Sequence, residues 1–191
     1  MSNVKSIEKA DVRSRILETV GRLFHSQGYN ATGINQVIAE ARVAKASFYQ
    51  YFPSKMELLM EYLRQHQAMV MAEWQTAMAD CATPKEKIME LFECRIRRQV
   101  RNNFCGCAFV KISAELGQDH EDVFTLILGH KQLLKKKISG LLKEMKERSA
   151  AELNEKTELV YLLYEGGGVE SSIQRNISSL KTAMKIVASQ V

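Results

Sequence analysis

A chain of 191 residues, 46% hydrophobic and 26% charged, has the balance of a folded protein with room for one or two domains and an ample core. No apolar run approaches the roughly 20 residues that span a bilayer, and the opening stretch MSNVKSIEKADVRSR holds no signal-peptide core, so a cytoplasmic location is expected. The excess of 27 basic over 22 acidic residues, a net charge of +5, suits a partner that carries phosphates.

Two prolines and ten glycines leave few helix breakers, so a nearly all-helical chain is the default. Met1 to about Lys9 reads as a flexible arm, with Lys5 and Lys9 able to reach a phosphate backbone. From about Ala10 to Gln27, Val12, Ile16, Leu17, Val20, Leu23 and Phe24 recur on one face of an amphipathic helix. Gly28 is placed to end it. Thr32 offers a hydroxyl cap to the next helix, where Ile34, Val37, Ile38 and Ala41 form an apolar stripe and Gln36 lies on the outer side. Arg42-Val43 break that rhythm. Phe48, Tyr51 and Phe52 resume it on a second short segment, leaving Lys45, Ser47, Tyr49 and Gln50 outward. A helix this short is unstable alone in water and must be propped by its neighbour. That is the helix-turn-helix arrangement, with the polar set free to enter a DNA major groove.

At these residues the chain resembles the TetR family of bacterial transcriptional repressors. Thr32-Gly33, the run Val37-Ile38-Ala39-Glu40-Ala41 and the run from Val43 to Lys55 match its pattern. So does Arg13 to Tyr29, through Ile16, Leu17, Leu23, Phe24, Gly28 and Tyr29. The resemblance implies an all-α protein: a three-helix DNA-binding head, residues 1–53, packed on a helical effector-binding and dimerisation body, residues 54–191. It implies a palindromic operator read by a homodimer, with Lys45, Ser47, Tyr49, Gln50 and Tyr51 carrying recognition and Thr32, Gln36 and Lys55 holding the backbone. A dimer also follows from the head itself, because one short recognition helix reads too few bases. Two positions depart from the pattern. Arg42 stands where glycine is commonest, at a cost of about 1 kcal/mol for a positive φ, and is read as compensating by pairing with a phosphate. Ala44 replaces the usual serine or threonine, forgoing a cap worth ~1 kcal/mol.

Further along, Ser54 and Glu57 make a capping box for a long fourth helix with Lys55 at its start; Leu58, Leu59, Tyr62 and Leu63 run on towards Trp74 and Met78. Thr83-Pro84-Lys85-Glu86 is a second box, opening a helix to about Arg101 through Ile88, Leu91, Phe92 and Ile96. Asp80-Cys81-Ala82 is too short to be an interdomain linker. Later helices end at Gly117, run over about 120–147 behind Asp119, start at Ser149 or Asn154 and reach Gln174, and occupy about 177–190. The lysines at 135–137 read as a solvated face. In TetR-like proteins the last two helices, here carrying Leu159, Leu162, Leu163, Val169, Ile173, Leu180, Met184 and Val187, form a four-helix bundle with their two-fold mate.

Gly106-Cys107, followed by an apolar pair and a helix, resembles a motif of an electrophile-sensing branch of the family in which the cysteine is the sensor; Cys105 is extra here. The plainer reading is a small buried core residue. A zinc site at Cys105 and Cys107 needs two more ligands, and no spacing supplies them from Cys81, Cys94 or His120; no metal or cofactor is expected. An enzyme with a cysteine nucleophile needs a histidine base, and His25, His66, His120 and His130 show no such spacing. The chain is read as a regulator induced by a small molecule or an electrophile, with a helical protein–protein adaptor or a cysteine-dependent enzyme as the alternatives. Glu165-Gly166-Gly167-Gly168 places three glycines in a helical pattern at roughly 1 kcal/mol each. Close packing at a dimer seam offsets that, or a cavity lined by Trp74, Phe92, Phe104, Phe109, Phe124, Tyr161 and Tyr164.

Overall fold

The computed structural model describes residues 2–117, 119–146 and 149–191, with side chains from Val12 onward. Among the described residues there are nine helices and no strand: α1 (Ser2–Ser26), α2 (Ile34–Ala41), α3 (Lys45–Tyr51), α4 (Lys55–Ala77), α5 (Pro84–Arg101), α6 (Ala108–Glu115), α7 (Glu121–Met145), α8 (Ala150–Gln174) and α9 (Ser178–Gln190). No helix there is long and apolar enough to cross a membrane. The segment read as an arm is helical backbone from Ser2; the side chains of Lys5 and Lys9 lie outside the described residues.

Local chemistry sets the helix starts. The Thr83 hydroxyl accepts from the Glu86 amide at 3.2 Å, and the Glu86 carboxylate accepts from the Thr83 amide at 3.1 Å. Ser149 and Glu152 repeat this reciprocal pair at 3.3 and 3.1 Å, which decides between the two candidate starts of α8. Each pair satisfies two otherwise orphaned amides. At α4 the Ser54 hydroxyl accepts from the Glu57 amide at 3.0 Å. Thr32 is a correction. Gly33, not Thr32, is the N-cap of α2, and no side chain caps it. The Thr32 hydroxyl instead donates to the Gly28 carbonyl at 2.6 Å and accepts from Gln27 Nε2 at 3.1 Å, tying the α1–α2 loop together from inside.

The chain divides into two compact units. One comprises the chain up to His66 together with Ala108–Val123. Its core takes Ile16, Leu17, Val20 and Phe24 from α1, Val37 and Ala41 from α2, Phe48 from α3, Leu58, Leu59 and Leu63 from α4, and Phe109 and Ile112 from α6. Burying each large apolar side chain contributes roughly 1.5–3 kcal/mol. Directional bonds fasten α6 to this unit. Lys111 Nζ donates to the His25 carbonyl at 2.6 Å. The Asn30 amide donates to Glu115 Oε2, and Asn30 Nδ2 to the Glu115 carbonyl, both at 2.8 Å. Gly28 has φ +93°, and a Cβ there would lie 2.5 Å from Glu115 Oε1, so only glycine serves.

The second unit, Gln67–Cys107 with Phe124–Val191, packs Trp74, Leu91, Phe92, Leu134, Ile138, Leu142, Val160, Tyr164, Leu180 and Val187. Here the glycine triplet finds its reasons, one glycine at a time. A Cβ on Gly167 would approach the Ala183 Cβ to 3.2 Å and the Ser179 carbonyl to 3.4 Å, so Gly167 lets α9 of the same chain close on α8. A Cβ on Gly168 would meet the guanidinium of Arg95 at 2.5 Å. Gly166 faces open space.

Candidate nucleic-acid interface

α2 ends at Arg42, which takes the left-handed conformation at φ +54°. Its amide donates to the Ala39 carbonyl and that of Val43 to the Ile38 carbonyl, both at 3.2 Å, closing the turn. Ala44 is extended and α3 begins at Lys45 with no side-chain cap. Replacing Arg42 by glycine relieves a left-handed side chain worth about 1 kcal/mol, offset by the greater freedom of the unfolded chain. The expected urea midpoint is therefore unchanged or slightly higher; a clear loss would mean that the guanidinium holds the fold.

Within the seven residues of α3, Phe48 is fully buried and anchors the helix, against Phe52 at 6.1 Å and the edge of Tyr49 at 5.3 Å. At 100° per residue, Ala46 and Gln50 lie opposite Phe48, Lys45 and Tyr49 on one flank, and Ser47 and Tyr51 on the other. Exposure follows that geometry. Lys45, Ala46, Tyr49 and Gln50 are exposed, whereas Ser47 and Tyr51 are half-buried. Ala46 was missed in the reading by residue type, although its angular position alone marks it as outward. The exposed ridge thus offers an ammonium, a methyl, a phenol and a carboxamide. These are groups suited to phosphates or guanine, to the thymine methyl and to the adenine edge.

The flanking residues divide. Gln36 is half-buried in a chain of amides, accepting from Gln27 Nε2 and donating to Glu40 Oε1, each at 2.9 Å. Arg42 is exposed. Lys55 holds its ammonium 4.2 Å from the centre of the Tyr29 ring, and burial draws its pKa below the usual lysine value against the opposing pull of Glu115. Thr32 leaves the set of expected backbone contacts. It is 1% exposed with its hydroxyl committed inside the loop, so no surface remains for a phosphate.

A family model described as "Bacterial regulatory proteins, tetR family" matches residues 16–62, from α1 through the first turns of α4. Over that segment the chain matches the TetR family. Members are DNA-binding transcription regulators, not enzymes. The chain is 29% identical over 188 residues to YxaF, an uncharacterized HTH-type transcriptional regulator of Bacillus subtilis, covering 96% of this chain and 94% of the relative. It is 24% identical over 185 residues to the HTH-type transcriptional repressor NemR of Escherichia coli, covering 91% and 90%. The fold matches the reduced form of E. coli NemR with a TM-score of 0.78 over 93% of this chain and 95% of that one, at 24% identity. It matches a TetR-family transcriptional regulator of Streptomyces coelicolor with a TM-score of 0.80 over 94% and 97%, at 22% identity.

In the body, none of the four cysteines is joined in a disulfide. Cys105 and Cys107 are half-buried in the loop between α5 and α6, where Asn103, Phe104 and Gly106 all have positive φ. Cys107 directly precedes Ala108, the first residue of α6. Burial pushes the Cys94 thiol up, outweighing the Arg97 guanidinium beside it. No group of three or more metal-binding side chains occurs among the described residues.

The aromatic residues expected to line a single cavity lie in several different settings. Phe92 and Tyr164 meet edge to face at 5.4 Å within the core. Phe109 belongs to the other unit, beside His66 at 5.7 Å. Tyr161 lies 4.4 Å under the Lys135 ammonium. Phe104 and Phe124 are half-buried. Trp74 stacks on His130 at 6.4 Å and borders an open groove of about 830 Å³ with Met71, Met78, Leu133 and Leu141. Aromatic spacing at helical period marked the core rather than a cavity.

Proposed function

We propose that the chain is a repressor that binds a near-palindromic operator as a homodimer and leaves it when an inducer meets the body. The exposed ridge of α3, held by the single buried anchor Phe48, carries the reading. Residues 1–53 form the DNA-reading segment and 54–191 the effector-binding and dimerisation segment. Lys45, Ala46, Ser47, Tyr49, Gln50 and Tyr51 face the bases, while Gln36, Arg42 and Lys55 hold phosphates. The relative NemR is a repressor, which favours repression.

An apolar stripe on α8 supports the dimer. Leu162, Val169 and Ile173 are 61%, 41% and 71% exposed, and Gly166 lies between them on the same face at helical spacing. Ile186 of α9, 43% exposed, joins the stripe. Pairing this face about a two-fold axis removes it from water and builds a four-helix bundle. The inducer is a small molecule or an electrophile that reacts with Cys107. It favours the form of the dimer whose heads no longer fit successive major grooves ~34 Å apart.

A gel shift with DNA from upstream of the gene, repeated across salt concentrations, tests the reading. Log affinity is expected to fall linearly with log salt, and Arg42→Gly to reduce the slope by about 1, because Arg42 holds a phosphate. Gln50→Ala should relax discrimination at one base pair by about 1–3 kcal/mol. No salt-dependent complex at all would leave the adaptor reading in place. N-ethylmaleimide should release the wild type and not Cys107→Ser.

A further inference from the structure

Gly168 leads to the strangest side chain in the body. The Arg95 guanidinium reaches from α5 into the space that a side chain on α8 would fill. A Cβ on Gly168 would lie 2.5 Å from Nη2, 2.8 Å from Nε and 2.9 Å from Cζ. Arg95 is 7% exposed, and its Nη2 is buried without a hydrogen-bond partner. A buried cation is tolerated when an anion faces it.

The carboxylates around it are already engaged. Glu165, on the preceding turn of α8, holds the Lys131 ammonium at 2.7 Å. Glu73 holds Arg98 at 2.9 Å and Arg101 at 3.5 Å. Glu158 holds Lys135 at 2.6 Å. Tyr164 gives Arg95 its ring face at 5.1 Å, while its phenol oxygen accepts from Arg98 Nη2 at 3.0 Å. Tyr161 supplies no charge: burial, then Glu165, Glu158 and Cys107, push its phenol up to about 12.

Cys107 is a further neighbour able to carry a negative charge, beside Glu165, whose carboxylate is shared with Lys131. Its loop rests on α8 beside the Arg95 niche. Gln99, one turn after Arg95, donates to the Gly168 carbonyl at 2.7 Å and to Ser172 Oγ at 2.8 Å. Gly106, the residue before Cys107, lies against that same Ser172 Oγ, which an added Cβ would approach to 3.2 Å. Burial opposes the Arg95 charge, and Tyr164, then Cys107 and Glu165, favour it.

We propose that Arg95 is the positioning residue for Cys107: seated in the notch at Gly168, its guanidinium stabilises the Cys107 thiolate and makes this the reactive thiol of the chain. The inference deepens the sensor reading of Cys107 and rests on it for its regulatory meaning. The ligand class is an electron-poor alkene such as an α,β-unsaturated carbonyl compound. The sulfur forms an S–C bond to the β-carbon, the alkene pair moves to the α-carbon, and that carbon takes a proton from water. No oxidant or reductant enters. The product is a neutral thioether, so the step removes one negative charge from beside Arg95 and weakens the compensation of the buried cation. That penalty belongs to the packed body alone and favours its rearrangement.

The test is the rate of N-ethylmaleimide addition at each cysteine of the intact protein, read by peptide mass spectrometry from pH 5 to 9. Cys107 is expected to react first, with a rate that has levelled off by neutral pH. Arg95→Gln should slow it at least tenfold at pH 7 and leave the rate at pH 9 unchanged. Gly168→Ala keeps the charge but fills the notch, and should act in the same direction. Circular dichroism identifies any variant that fails to fold. The wild-type profile decides without variants: a Cys107 rate that climbs only through the ordinary thiol range overturns the inference, as do identical profiles in folded variants. Fully labelled protein that still holds its operator would instead overturn the sensor reading and leave the Arg95–Cys107 pairing standing.

Discussion

Ile173→Glu is expected to turn the protein into a monomer and to weaken operator binding by at least about a hundredfold, the lower end of the gain from joining two binding modules. Ile173 is 71% exposed in the isolated chain and lies in line with Leu162, Gly166 and Val169 on α8. In a two-fold interface each substitution acts twice. Losing one buried isoleucine forfeits roughly 1.5–3 kcal/mol, and a carboxylate forced into the seam adds its own desolvation cost. The head stays folded, because Ile173 belongs to the other compact unit. Sedimentation velocity reads the first effect and a gel shift the second. A variant that remains dimeric with unaltered operator affinity would refute the α8–α9 seam.

Phe48→Ala should produce the complementary defect. Phe48 is 0% exposed and is the one buried residue of a seven-residue helix. Truncating a buried phenylalanine costs about 3–5 kcal/mol, and a helix of two turns has no reserve of its own. We expect α3 to lose its seat and operator binding to vanish while the dimer persists. Urea denaturation should show an early loss of structure, and size exclusion an unchanged oligomer. A folded, DNA-binding Phe48→Ala protein would mean that α3 is held by something other than its anchor.

The parts legible in the sequence are those written locally. The capping box at Thr83 announced its helix, because both partners sit three residues apart, whereas the start of α8 stood open between Ser149 and Asn154. The outward set of α3 followed from the position of Phe48, and only attention to polarity hid Ala46. Arg42 was readable as a left-handed residue because it interrupts the apolar stripe at a turn, and φ is +54° there. Thr32 misled because a hydroxyl before a helix usually caps it; here a carbonyl four residues back takes the proton instead.

Contacts between distant residues were not legible. Gly168 answers to Arg95 on α5, and Asn30 to Glu115 on α6, 85 positions later. No local pattern encodes either pair. The settings of the aromatic set were not legible either. Edge-to-face packing such as Phe92 on Tyr164 fills a core and empties nothing.

The bonds from Glu115 and Lys111 carry a lesson for anyone grafting one regulator's DNA specificity onto another. A transplant cut after Pro53 takes Gly28, Asn30 and His25 from the donor but leaves α6 with the host. The seat of the donated reader then depends on a carboxylate and an ammonium chosen for a different loop. Grafts that import the α6 segment as a second splice should keep the donor's target preference, and single-splice hybrids should read their sites poorly even when they express and dimerise.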